Sequence, residues 1–141
     1  MNIVKNKLIL VKEQEFEYKE KIRCMEDLID FIRDVIKIEQ EPEEVLYLIT
    51  LSNANQIHSF MEVARGTINC CNFHEADIYK RVLLSNCRKF ILVHNHPSGI
   101  AKPSLDDRKV TDDMKKSSKL LGLNFLDHIV IGDNCYTSCF E

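Results

Sequence analysis

The sequence predicts an α/β domain. Short β-rich apolar runs (Val45–Leu51, Phe90–Val93 and Phe125–Ile131) alternate with longer segments in which apolar residues recur at helical spacing. Gly, Pro and Asn punctuate the joins, as in Asn53-Ala54-Asn55 and Gly132-Asp133-Asn134. The chain has 141 residues, 45% of them apolar and 29% charged, which suits a single domain with a real hydrophobic core.

The elements follow in order. Residues 1–41 are expected to supply an N-terminal strand and a helix packed on the core. The strand is Lys7–Val11, followed by a solvated charge run from Lys12 to Lys21. The helix runs from Met25 to Ile38, with Leu28, Ile29, Ile32, Val35 and Ile36 on its apolar side, and Pro42 closes the linker after it. Val45–Leu51 reads as a central strand and Gln56–Ala64 as its neighbour. On that second strand His58, Phe60 and Glu62 share a face. A glutamate facing inward from a strand is costly unless paired or used, and a rim glutamate facing water is the alternative. Phe73–Asn86 predicts a helix with Ile78, Val82 and Leu84 inward. Ser104–Leu121 predicts another with Val110, Met114, Ser117 or Ser118, and Leu121 inward, stopped by Gly122. Phe125–Ile131 and Cys135–Phe140 close the chain as a hairpin, with Asp127 and His128 read as support for the sheet and not as a second metal site.

Several function classes lose support from composition. A net charge of −3 and a pI near 6.0 give no signature of nucleic-acid binding. The basic face of the last helix (Arg108, Lys109, Lys115, Lys116, Lys119) is interrupted by Asp112 and Asp113 and carries no aromatic residues for base stacking. No apolar run approaches membrane-span length and Met1 opens no signal-peptide pattern, so a cytoplasmic address is expected. Cys24, Cys70, Cys71, Cys87, Cys135 and Cys139 lack paired C-x-x-C spacing, which argues for buried or half-buried free thiols and against a zinc knuckle.

The chemistry concentrates between Phe90 and Thr111. The apolar strand Phe90–Val93 ends in His94-Asn95-His96, and alternation turns both histidines to one side. Pro97, Gly99 and Pro103 then break regular structure, and a helix begins at Ser104 with Asp107 three residues on. Two imidazoles and a carboxylate are three ligands for a zinc-like ion, leaving a position open for water, as catalytic sites do. The plainer reading is a capped helix start, with Ser104 as N-cap and acidic residues in the first turn.

His94-x-His96, seven residues, Ser104, two residues and Asp107 resemble the H-x-H-x7-S-x2-D signature of the JAB/MPN (JAMM) metalloproteases. His94–Gly99 and Asp127–Asp133 are similar to the RadC branch of that superfamily, and the resemblance runs from about Pro42 to Glu141. It implies a mixed β-sheet flanked by helices, in the JAB1/MPN (cytidine deaminase-like) architecture, over residues 42–141. It also implies about one Zn²⁺ per chain on His94, His96 and Asp107. Glu62 would be the catalytic base, since Glu62–Thr67 matches the RadC segment, and Ser104 would contact the oxyanion. The reaction implied is hydrolysis of an amide or isopeptide bond in a peptide or protein substrate, by a zinc metallopeptidase. The sequence departs from the family at His74-Glu75-Ala76-Asp77, where a Pro-Arg-Glu is usual, and at Lys102. It also offers one candidate helix and no Gly-rich hairpin where the branch often carries a helix-hairpin-helix region, so a short form is expected. A non-catalytic DNA-repair-associated or mobile-element module and a homodimerising interaction domain are the two alternatives.

Overall fold

One mixed sheet of five strands organises the chain, seen in a computed structural model that describes residues 1–18, 20–66 and 73–141. The strands are β1 (Val45–Leu51), β2 (Ile57–Arg65), β3 (Lys89–Asn95), β4 (Asn124–Gly132) and β5 (Cys135–Ser138), in the order β2-β1-β3-β4-β5. β1 pairs antiparallel with β2 and β3, β3 pairs parallel with β4, and β4 pairs antiparallel with β5. The parallel pair needs a crossover, and α3 (Leu105–Leu120) supplies it. α1 (Met25–Phe31) and α2 (Glu75–Leu84) complete the helices. The α/β expectation, including a mixed sheet flanked by helices, is met.

Each strand of the centre is apolar on both faces because helices cover both. On one side, Ile49, Leu51, Ile91, Val93, Ile129 and Ile131 pack against Leu28, Ile29, Phe31 and Ile32. On the other, Leu46, Leu48, Phe90 and Leu92 pack against Ile78, Tyr79 and Val82 of α2 and Met114 of α3. These two layers matter for the site, which lies wholly on the second.

The N-terminal region differs from expectation. Lys7–Val11 forms no strand, and its apolar side chains are exposed. Among the described residues the first backbone pairing with the sheet region is an isolated bridge between Lys21 and Gln56. The amphipathic stretch from Met25 does pack on the core, but it leaves α-geometry after Phe31. Ile32–Ile36 is a π-helical turn closed by Lys37 N–H donating to the Ile32 carbonyl (2.8 Å), and Ile38–Gln40 is a 3₁₀ turn. On α3, Thr111, Met114 and Ser118 face inward, whereas Leu121 is 50% exposed. Leu84 of the expected α2 stripe is likewise partly exposed. Gly122 stops α3 as expected, in a left-handed conformation (φ +68°). Cys24 and Cys135 are exposed, Cys87 is half-buried and Cys139 is buried, all as free thiols; Thr67, Cys70 and Cys71 lie outside the described residues.

Candidate metal centre

β3 positions two of the three candidate ligands, His94 within the strand by simple alternation and His96 just past its end. Phe90 and Leu92 face the α2–α3 layer, so His94 does too, and Asn95 turns to the α1 side. There Asn95 Oδ1 accepts the Val45 N–H (2.8 Å) and Nδ2 donates to the Glu43 carbonyl (3.0 Å), which fixes the start of β1 against the end of β3. His96 has left the strand but stays tied to the sheet, its N–H donating to the Ile131 carbonyl at 2.8 Å. Pro97–Gly99 turns the chain, and Gly99 N–H closes the turn on the His96 carbonyl (2.9 Å). The loop then aims the Ile100 carbonyl at His96 Nδ1, 2.9 Å away. A carbonyl only accepts, so Nδ1 carries the proton and Nε2 keeps its lone pair.

The third candidate ligand comes from the start of α3. Ser104 Oγ accepts the Asp107 N–H (3.0 Å) while Asp107 Oδ2 accepts the Ser104 N–H (2.7 Å), a reciprocal capping box. The cap therefore exists, and it orients the ligand: Asp107 Oδ1 lies 3.2 Å from His94 Nε2, and Oδ2 lies 3.4 Å from His96 Nε2. The two Nε2 atoms are 3.1 Å apart. Burial resists ionisation of Asp107, but the His94 ring and the Ser104 groups outweigh it and hold the carboxyl well below the usual carboxylate range. His94, His96 and Asp107 thus offer three ligand atoms within 4.8 Å of one another, with His94 and Asp107 buried. Lone pairs gathered this closely out of water repel unless a cation sits among them, and the nitrogen–oxygen donor set fits a divalent metal ion.

Two residues beside the triad carry no signal of their own in the motif. His128 on β4 is fully buried, with Nε2 2.9 Å from His94 Nδ1 and Nδ1 2.8 Å from Thr111 Oγ1. Burial, reinforced by His94, drives its basicity down to about 3. Thr111 Oγ1 also donates to the Asp107 carbonyl (2.7 Å). A histidine inside the apolar run Phe125–Ile131 was the available clue, since a buried imidazole needs partners.

Glu62 is not brought to the triad. It shares a strand face with Phe60 and pairs with Tyr47, and both of those pack on the α1 side of the sheet. A bulge between Leu46 and Tyr47 resets the alternation, so that Val63 and Ala64 turn to the other layer. Glu62 is exposed and hydrogen-bonded by Arg65 Nε at 3.0 Å. Arg65 also bonds Glu41 and Glu43, and the three carboxylates raise its pKa further. The rim reading of Glu62 thus describes its position in this conformation. His58 and His74 are exposed, and His74 precedes α2 with its N–H donating to Asp77 Oδ2 (3.1 Å). An open cleft of about 370 Å³ is lined by Glu43, Glu44, Gly66 and Pro97.

Residues 22–141 match the RadC-like JAB domain family. Among curated relatives, a UPF0758 protein of Histophilus somni is 37% identical over 105 residues, covering 74% of this chain and 47% of its own. A UPF0758 protein of Pelodictyon phaeoclathratiforme is 35% identical over 121 residues, covering 86% of this chain and 52% of its own. One from Clostridium perfringens is 34% identical with the same coverage. The chain spans about half the length of these relatives.

Proposed function

The chain belongs to the RadC-like JAB domain family, and from that premise we propose that it is a zinc-dependent hydrolase of amide or isopeptide bonds. One observation carries the reading: two imidazole nitrogens and the Asp107 carboxylate converge at the buried end of β3. Zinc takes this donor set, and three protein ligands leave it an exchangeable position. Bound there, it would supply Lewis-acid chemistry, lowering the pKa of a water from about 15.7 towards roughly 7 and polarising a substrate carbonyl.

The remaining steps belong to the chain. His94, His96 and Asp107 hold the ion. Ser104 Oγ uses a lone pair on the Asp107 N–H, so its hydroxyl hydrogen remains to donate to a developing oxyanion. In this reading an extended peptide would lie in the cleft lined by Glu43, Glu44 and Pro97, the last of which follows His96 in the chain. Glu62 acts as proton acceptor in this reading only after a rearrangement, because its carboxylate must leave Arg65 and cross from the α1 side. The nucleic-acid alternative gains no specific observation. On α3, Lys109 is paired with Asp113, and Lys115 sits 4.0 Å over the Phe140 ring.

Metal analysis of the purified protein should find about one zinc per chain, and His94→Ala with His96→Ala should remove it. Zinc retained by the double variant would move the site elsewhere. Peptides with linear and branched amide bonds should be cleaved without chelator and spared with it. Glu62→Gln separates the two parts of the reading. Zinc should stay and turnover fall if Glu62 acts, whereas unchanged turnover assigns the proton transfer to another group.

A further inference from the structure

An imidazole that binds an ion through Nε2 carries its proton on Nδ1, and whatever faces that Nδ1 must accept it. Facing Nδ1 of His94, at 2.9 Å, is Nε2 of His128. His128 accepts there when its own proton sits on Nδ1, and its Nδ1 lies 2.8 Å from Thr111 Oγ1. Thr111 has a single hydroxyl hydrogen, which it donates one turn back along α3 to the Asp107 carbonyl at 2.7 Å. Towards His128 that hydroxyl is therefore an acceptor, and the direction of every later bond follows.

We propose that Thr111 and His128 form a positioning relay which fixes the proton of His94 on Nδ1 and leaves its Nε2 lone pair aimed at the metal position. The relay starts and ends on one residue. The Asp107 main chain anchors Thr111, while the Asp107 carboxylate is itself a ligand, so the first turn of α3 sets both one ligand and the tautomer of another. Exposure is 1% at His94, 2% at His128 and 0% at Thr111, so water does not replace a missing member. His96 is held differently, by a main-chain carbonyl, so the two histidine ligands should respond to different substitutions. Neither relay residue contacts substrate, and both act through His94.

The inference rests on the metal reading above, and its test separates the two. Zinc affinity would be measured by competition with a chromophoric chelator, alongside thermal melts of the apo-proteins. His128→Phe, which fills the space without an acceptor, should weaken zinc binding by about 10–100-fold. His128→Gln, whose carbonyl can reach the position of the lost Nε2, should recover most of that loss. Thr111→Val should weaken binding in the same sense and Thr111→Ser should not. Nitrogen-15 NMR of the unsubstituted apo-protein should find His128 protonated on Nδ1, a readout that no loss of fold in a variant can obscure. Parent-like zinc affinity in both His128→Phe and Thr111→Val, or an Nε2–H tautomer at His128, would overturn the relay. If the parent chain itself binds no zinc, the metal reading fails, while the tautomer of His128 still decides the relay.

Discussion

Asp107 uses one carboxylate for two purposes, since Oδ2 receives the Ser104 N–H and both oxygens face histidine nitrogens. Asp107→Asn keeps the shape and an acceptor for the cap but removes the charge. It should therefore lose stoichiometric zinc while the melting temperature in chelator falls by no more than about 5 °C, the scale of a weakened cap. Cys139 offers a different test. Burial pushes its thiol from 9.0 up to about 11. The folded chain thus holds that proton longer than the unfolded one, so the group's stabilising contribution is complete below about pH 9 and is lost as pH rises towards 11. At pH 8, alkylation of the native protein should label exposed Cys24 and Cys135 and spare Cys139 until denaturant is added. Peptide mapping by mass spectrometry reads this, and equal labelling would show that Cys139 is accessible.

Loops decide the site as much as strands do, and a pair of glycines shows how. A Cβ on Gly132 would lie 2.4 Å from the Gly99 carbonyl oxygen and 2.7 Å from the Ala101 nitrogen. Both are main-chain atoms, so the Pro97–Ala101 loop must move, and that loop carries the Ile100 carbonyl which holds His96. Gly132→Ala should cost roughly 1–3 kcal/mol and weaken zinc binding with it. Gly122→Ala meets nothing within 4 Å and pays only for its positive φ, about 1 kcal/mol, with zinc affinity unchanged. Element identity was legible because period and punctuation agree with the fold. The wide turn at Ile32–Ile36 was not, since Leu28, Ile29, Ile32 and Val35 suit either helical geometry. Alternation put Glu62 on the Phe60 face, where it is; which helical layer that face meets depends on the pairing of β2 with β1 and the seating of α1, which the side-chain pattern does not carry. His94, His96 and Asp107 were legible because two-residue alternation and a cap fix their directions locally. Thr111 and His128 meet them only through the pairing of β3 with β4 and the seating of α3, which are tertiary facts.

The molecule divides its work between the two faces of the sheet. Among the described residues the α1 layer is a hydrophobic wall that contributes nothing to the candidate metal group, and the α2–α3 layer carries the triad at its edge. Residues 1–14 belong to neither: Ile3, Val4, Leu8, Ile9, Leu10 and Val11 are all at least 55% exposed, and the first aromatic side chain to touch the core is Phe16, 5.4 Å from Phe60. An apolar run becomes a strand only when an edge receives it, which is why Lys7–Val11 reads as a strand locally and forms none. Deleting residues 1–14 should leave the melting temperature within about 2 °C and the zinc content unchanged. Phe31 is the contrasting case. It is 1% exposed, with Tyr18 and Phe60 against its ring at 4.9 and 5.8 Å. Phe31→Ala should cost about 3–5 kcal/mol by denaturant titration. Below its lowered melting point the variant should still bind zinc with parent affinity, because the cavity opens on the side of the sheet that holds no ligand. A parallel loss of zinc affinity would mean that the two layers are coupled through the sheet.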